Sequence, residues 1–248
     1  MTVYDDIGRG YADRRRADPR IAAAIDDALG DAVDIVNVGA GAGSYEPVGR
    51  SVIGVEPSAL MIGQRSTDAA PCIAGVAEAL PLCDKSVDAA LAVLTLHHWR
   101  DLRGGLVEMR RVARRRAVIL TWVPDGPEFW LTRDYFPEIL ATDRNQFPAT
   151  DVLASLLERT IGTAELRVLP VPHDCSDGFL GAYWRRPETY LDLAARRAIS
   201  SFSLFDATDG LAKLRRDLGD GTWHRRNGHL MNLSELDLGY RIAICRIA

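Results

Sequence analysis

The chain has 248 residues, 47% hydrophobic and 26% charged, a composition that builds a packed globular core and excludes a fibrous or disordered chain. Thirty Lys plus Arg against thirty-four Asp plus Glu give a formal net charge of −4, so a whole-molecule positive field for holding nucleic acid is excluded. No apolar run reaches the roughly 18 residues of a membrane span, and the start carries Asp5 and Asp6 in place of a basic leader, so a cytoplasmic protein without a membrane partner is expected.

Asp18 followed by Pro19 reads as a helix cap with proline in the first turn, and Ile21, Ile25 and Leu29 recur at helical spacing until Gly30. A helix over 19–29 is predicted. Residues 34–38 form a short β-branched run ending at Gly39, a buried strand feeding a tight turn. A second strand spans 51–55 and ends at Glu56-Pro57, after which Ser58 caps a helix through Met61 and Arg65. A weaker third strand covers 72–76. Residues 87–96 are almost continuously apolar, as suits a central strand buried on both faces. Asp101 then caps a helix whose apolar face carries Leu102, Leu106, Met109 and Val112, and a fifth strand runs over 117–122. Such alternation predicts a doubly wound parallel sheet with ligand at the carboxyl ends of its strands.

Beyond residue 123 the rhythm changes. Residues 125–150 are rich in aromatics, including Trp130, Tyr135, Phe136 and Phe147, and resolve into neither helix nor strand. A helix over 151–161, a strand over 165–171, helical patterns near 187–199 and 209–218 and a last strand over 240–247 follow. The expected single domain has its core in 1–123 and 238–248, with the strand near 165–171, and lid insertions in 124–164 and 172–237. The cysteines Cys72, Cys83, Cys175 and Cys245 lie far apart with no CxxC pair, the pattern of buried thiols, and no metal site is expected.

Gly39-Ala40-Gly41-Ala42-Gly43 follows the first strand directly, where glycines let the backbone turn sharply and approach a ligand. The spacing is GxGxG and Pro47 curtails any helix behind it, which disfavours the GxGxxG dinucleotide arrangement. Glu56 ends the second strand, where a carboxylate can accept both hydroxyl protons of a ribose. Together these features point to a bound nucleoside.

Val36-Asn37-Val38-Gly39-Ala40-Gly41-Ala42-Gly43, Val55-Glu56-Pro57-Ser58 with Met61, Glu78-Ala79-Leu80-Pro81 with Ser86-Val87-Asp88, Leu94-Thr95-Leu96-His97-His98-Trp99 with Asp101, and Glu108-Met109-Arg110-Arg111-Val112 occur in this order. The set resembles the motifs of class I S-adenosylmethionine-dependent methyltransferases, in the small-molecule branch of the ubiquinone and menaquinone biosynthesis enzymes. The resemblance covers about residues 4–123 and implies a Rossmann-like, seven-stranded α/β fold with a mainly helical lid. It further implies S-adenosyl-L-methionine as cofactor, with the backbone at Gly39, Gly41 and Gly43 under the methionine part and Glu56 on the ribose. Pro57 and Met61 would border the adenine, and the Leu94 carbonyl would receive the ammonium. The family's Asp after the third strand is replaced here by Val76-Ala77-Glu78, so Ala77 or Glu78 takes its place. Tyr11 with Arg15 resembles a Tyr-xxx-Arg element that closes over the cofactor.

Methyl transfer from a sulfonium needs alignment and a dry site, and a base only where the acceptor must lose a proton. His97 and His98 stand at the end of the fourth strand, and imidazole ordinarily titrates near neutral pH, so one of them, His98 before His97, is expected to deprotonate or orient the acceptor. The expected activity is methyl transfer to a small-molecule acceptor. The competing readings are a nicotinamide-dependent oxidoreductase and a non-catalytic S-adenosylmethionine-binding protein. Acceptor and oligomeric state are not encoded in any motif.

Overall fold

The computed structural model describes residues 15–247. Helix α1 (Pro19–Leu29) begins as predicted: the Asp18 carboxylate accepts the Arg20 N–H, and Gly30 ends the helix with φ of 57°. Strands β1 (Asp34–Val38), β2 (Ser51–Glu56), β3 (Cys72–Ala74), β4 (Val87–Val93) and β5 (Ala113–Trp122) follow. Helix α2 (Ala59–Gly63), capped by the Ser58 hydroxyl on the Met61 N–H, and helix α3 (Leu102–Val112) intervene.

The later chain supplies α4 (Trp130–Asp134), α5 (Pro137–Gln146), α6 (Thr150–Thr160), β6 (Thr163–Val168), β7 (Val171–Pro172), α7 (Leu193–Arg197), α8 (Thr208–Gly219), α9 (Thr222–Asn227), β8 (Glu235–Leu236) and β9 (Tyr240–Arg246). Seven strands form one sheet in the order β3-β2-β1-β4-β5-β9-β6, in which β9 runs antiparallel to both its neighbours. The other pairs are parallel. β7 and β8 form a separate two-stranded ribbon.

Alternation along the central strands builds two hydrophobic layers, because successive side chains point to opposite faces. Ile35, Leu91, Val118, Leu120, Ile242 and Ile244 pack with α1 and the later aromatic segment. Val36, Ala90, Ala92, Ile119, Ala243 and Cys245 pack with Leu106 and Met109 of α3 and with Leu153 and Leu157 of α6. Burial on both faces explains the continuous apolar run in β4.

Several element boundaries differ from the predicted ones, each for a local reason. β4 stops at Val93 because Leu94 turns to φ of 50° and a short 3-10 turn over Leu96–His98 follows. β5 starts four residues before 117, since Ala113 pairs with Val87 while Arg114, Arg115 and Arg116 carry their charge to aspartates at the strand's start. The aromatic segment 125–150 contains α4 and α5. Most of its rings, with Tyr183 and Trp184, are core: Trp130 stands edge-on to Tyr135, Tyr190 and Trp223 at 5.9, 5.7 and 5.2 Å. Its indole N–H donates to the Trp184 carbonyl at 2.9 Å. The strand read over 165–171 is β6, ending at Val168, and the helical pattern 187–199 divides into a 3-10 turn over Pro187–Leu191 and α7.

Candidate active site

β1 pairs with both β2 and β4, so the chain connections leave the sheet in opposite directions on either side of β1. A crevice opens at the carboxyl ends of strands where the order reverses in this way. Here it is a cavity of about 480 Å³. Its floor comes from the turn after β1 and from the ends of β2 and β4, and its far wall from α5 and the segments around Phe179 and Ser200.

Gly39 and Gly41 line the cavity with φ of 71° and 52°, a region that disfavours any Cβ. A Cβ on Gly39 would lie 2.1 Å from the Thr95 hydroxyl oxygen, so the turn packs directly on the segment after β4. Gly43 has φ of 91° and closes the turn by donating its N–H to the Ala40 carbonyl at 2.9 Å, but it lies outside the cavity lining. Behind the turn, Arg65 donates to the Gly41 carbonyl at 3.0 Å and pairs with Glu46 at 2.6 Å.

Glu56 is buried at the end of β2. Its carboxylate accepts the Gly41 N–H and the Ser58 N–H, each at 2.9 Å. Both bonds fix its orientation beside the glycine turn, while Pro57 and Met61 line the adjoining wall. Ala77 and Glu78 line the cavity too. The Glu78 carboxylate accepts the N–H groups of Arg100 and Asp101 at 2.6 and 3.1 Å. Asp101 precedes α3 without the predicted side-chain capping bond, and Glu78 instead ties the backbone just ahead of that helix to the cavity wall.

Leu94 lines the cavity in the left-handed region, its N–H held by the Leu120 carbonyl at 2.8 Å. Such strain at a non-glycine residue costs about 1–3 kcal/mol and clusters at ligand sites. Arg15 also lines the cavity; its Nε donates to Asp177 at 2.7 Å, and Tyr45 donates its hydroxyl to the same carboxylate at 3.0 Å. Tyr11 lies outside the described residues.

His97 and His98 both line the cavity, their rings 3.8 Å apart. Burial, His98 and Arg15 hold His97 well below the usual imidazole range. His98 is exposed toward the cavity, and the protein packed around it removes part of its hydration. This desolvation, with Arg15, pushes its imidazole down to about 4. The protein therefore lowers both imidazoles below the near-neutral range of the free residue. The Phe147 ring lies 4.7 Å from His97, tilted by 35°, and stands edge-on to Trp122 at 5.4 Å.

The cavity fits a nucleoside with an amino-acid end. A fixed carboxylate stands beside a glycine turn, and Asn37 Oδ1 and His97 Nδ1 are buried in the wall with no hydrogen-bond partner. Sequence reasoning missed the wall from α5, where Asp143, Gln146 and Phe147 meet the cavity. Ile139 and Asp143 are the buried residues of that helix, four apart, and one apolar residue with one acid gives no apolar periodicity that would have marked this wall in the sequence. Among the described residues no cluster of His, Cys, Asp or Glu could hold a metal ion.

A family profile described as a methyltransferase domain matches residues 36–121, the stretch from β1 to the end of β5. Among solved structures, a protein from Anabaena variabilis named as a methyltransferase of an antibiotic biosynthesis pathway is 36% identical. The alignment covers 94% of this chain and 98% of that one, with a TM-score of 0.87. The YcgJ protein of Bacillus subtilis is 17% identical, over 92% of this chain and 97% of its own, with a TM-score of 0.55. The geranyl diphosphate C-methyltransferase of Streptomyces coelicolor, solved with Mg2+, geranyl-S-thiolodiphosphate and S-adenosyl-L-homocysteine, is also 17% identical. It aligns over 92% of this chain and 76% of its own, with a TM-score of 0.52. These last two share the fold. No curated protein matches the sequence. A glycine turn and an acidic residue at the reversal of a β3-β2-β1-β4-β5-β9-β6 sheet, with a relative alike over nearly its whole length, identify the chain as a member of the class I S-adenosylmethionine-dependent methyltransferases.

Proposed function

We propose that the enzyme transfers the methyl group of S-adenosylmethionine to a small-molecule acceptor held between the strand ends and a lid built from residues 124–164 and 172–237. The observation that carries this reading is the Glu56 carboxylate, fixed by two backbone N–H groups beside the glycine turn on the cavity floor. A carboxylate held in this way is an oriented acceptor for vicinal hydroxyls. Gly39, Gly41 and Gly43 shape the turn under the methionine part, Pro57 and Met61 border the adenine, and Ala77 or Glu78 meets its amino edge. The Leu94 carbonyl receives the ammonium, and Arg15, with Tyr11, covers this end. When bound, the cofactor supplies an electrophilic methyl group on a sulfonium.

His98 and His97 orient the acceptor as neutral hydrogen-bonding groups, with Phe147 and Trp122 packed behind them. Their aromatic setting supports an acceptor with an apolar or ring body, in keeping with the likeness to ubiquinone and menaquinone methyltransferases. The Anabaena relative's name supports a metabolite as acceptor, and we place the reaction in the cytoplasm. No helix among the described residues is long and apolar enough to cross a membrane.

Calorimetric titration with S-adenosylhomocysteine and with NAD tests the cofactor reading: binding of S-adenosylhomocysteine is expected, and binding of NAD alone would overturn it. Transfer of labelled methyl from S-adenosylmethionine into a metabolite extract tests the acceptor class. Label found only in macromolecules would overturn the small-molecule reading.

A further inference from the structure

Asp143 is buried on α5 and lines the cavity together with Gln146 and Phe147. Its backbone carbonyl accepts the Phe147 N–H at 2.9 Å, which sets the carboxyl one helical turn from the ring beside His97. Asp143 also lines a second cavity of about 100 Å³, together with Trp122, Leu180 and Tyr240. The charged groups around it are otherwise engaged or distant. Arg133 pairs with Asp134 at 2.8 Å and with Glu128 at 3.6 Å, and Arg15 with Asp177 at 2.7 Å. Arg144 and Arg100 line the two cavities without an ion pair to Asp143, and the Tyr240 hydroxyl receives the Gly181 N–H at 3.2 Å. No hydrogen bond or ion pair from any described residue stabilises the Asp143 carboxylate, and burial alone pushes it up to about 7.

A buried carboxyl with no protein partner is costly as an anion, and it is relieved by a proton or by a hydrogen-bond donor that a ligand brings. We propose that Asp143 is the proton acceptor of the methyl-acceptor subsite, and that the molecule methylated carries an N–H or O–H on its nucleophilic atom. This rests on the methyl-transfer reading above. As the nucleophile bonds to the methyl carbon, the carbon–sulfur bond breaks and its electron pair stays on sulfur, leaving a neutral thioether. The N–H or O–H bond breaks with its electrons kept by the nucleophile, and the proton passes to an Asp143 oxygen and from there to water. A base is most effective when its proton affinity matches the working pH, which favours this carboxyl over either neutral histidine.

The test uses the whole protein labelled with carboxyl-13C aspartate and saturated with S-adenosylhomocysteine, the Asp143 resonance being assigned with Asp143→Asn. The resonance is expected to titrate near neutral pH, to move with benzylamine or phenol, which offer N–H and O–H, and to be unmoved by toluene. The probe that moves it should bind Asp143→Asn roughly tenfold or more weakly, while Asp143→Glu, which keeps the carboxyl and controls for folding, retains the response. A resonance in the ordinary carboxylate range, one that neither benzylamine nor phenol moves, or one that toluene moves equally overturns the proposal. Failure of S-adenosylhomocysteine to bind is a separate result, which overturns the reading beneath it.

Discussion

At the scale of single residues, the site joins backbone strain to oriented charge. The Gly41 and Ser58 N–H groups hold the two Glu56 oxygens, so Glu56→Ala removes an acceptor whose direction is already set. Affinity for S-adenosylhomocysteine should fall by about 1–3 kcal/mol, roughly a factor of ten to a hundred, read by calorimetry. Unchanged affinity would remove Glu56 from the cofactor site. Gly39 is constrained by sterics: its φ of 71° and the Thr95 hydroxyl 2.1 Å from any Cβ both oppose substitution. Gly39→Ala should lower stability by about 2 kcal/mol or more in urea denaturation, and cofactor affinity with it. His98→Ala acts on the acceptor side, so it should change the acceptor KM or turnover while leaving S-adenosylhomocysteine affinity within about threefold.

At the scale of elements, a polar clasp joins the segment before α1 to residues 174–178. Arg15 and Tyr45 both bond to Asp177, which is fully buried, while Asp18 takes the Arg20 guanidinium and the Ser176 N–H. Burial opposes ionisation of Asp18, but these donors outweigh it and hold the carboxyl below the usual range. Removing one partner of a buried pair leaves the other charge unpaired, so Asp177→Ala should cost about 3 kcal/mol and Tyr45→Phe about 1 kcal/mol in denaturant melts. Equal small losses would show the clasp to be solvent-screened. The sequence marked Asp18 as a cap and singled out Arg15, but not the clasp they join, because Asp177 lies 162 positions from Arg15. The sheet was legible where burial on both faces leaves an unbroken apolar run, as in β4, and where Asp18-Pro19 and Gly30 punctuate α1. It was obscured where charge and strand coincide: the start of β5 carries three arginines whose partners, Asp31 and Asp88, lie on other segments. α5 escaped for the opposite reason, since its buried row holds one apolar residue and one acid, leaving no periodic signal. The glycine turn and Glu56 were readable because local backbone geometry dictates them, whereas the acceptor wall is assembled from distant segments.

For the whole molecule, the buried titratable groups of the cavity set stability against pH with opposing signs. Asp143 is raised from 3.8 to about 7, so the folded protein holds that proton more tightly than the unfolded chain. The stability it contributes is fully present below about pH 4 and is lost as pH rises through 7. His98 is lowered from 6.5 to about 4, and His97 moves the same way, so their contribution is present above about 6.5 and lost as pH falls through 4. Asp18, also lowered, adds to the loss on the acid side. Asp143 alone therefore subtracts stability between about pH 4 and 7, at about 1.4 kcal/mol per pH unit and on the order of 4 kcal/mol in all, with no further change above 7, while the histidines and Asp18 act in the opposite direction on the acid side. Asp143→Asn removes only this loss: the variant should match the wild type near pH 4 and exceed it by a margin that grows until about pH 7 and then stays level, measured by urea denaturation across that range. Parallel declines in the two proteins would mean that the Asp143 carboxylate is solvated and ionised in the folded state. A gain that grows between about pH 4 and 7 would show that the fold tolerates a destabilised carboxyl in its ligand cavity, as expected where a proton must be received during the reaction.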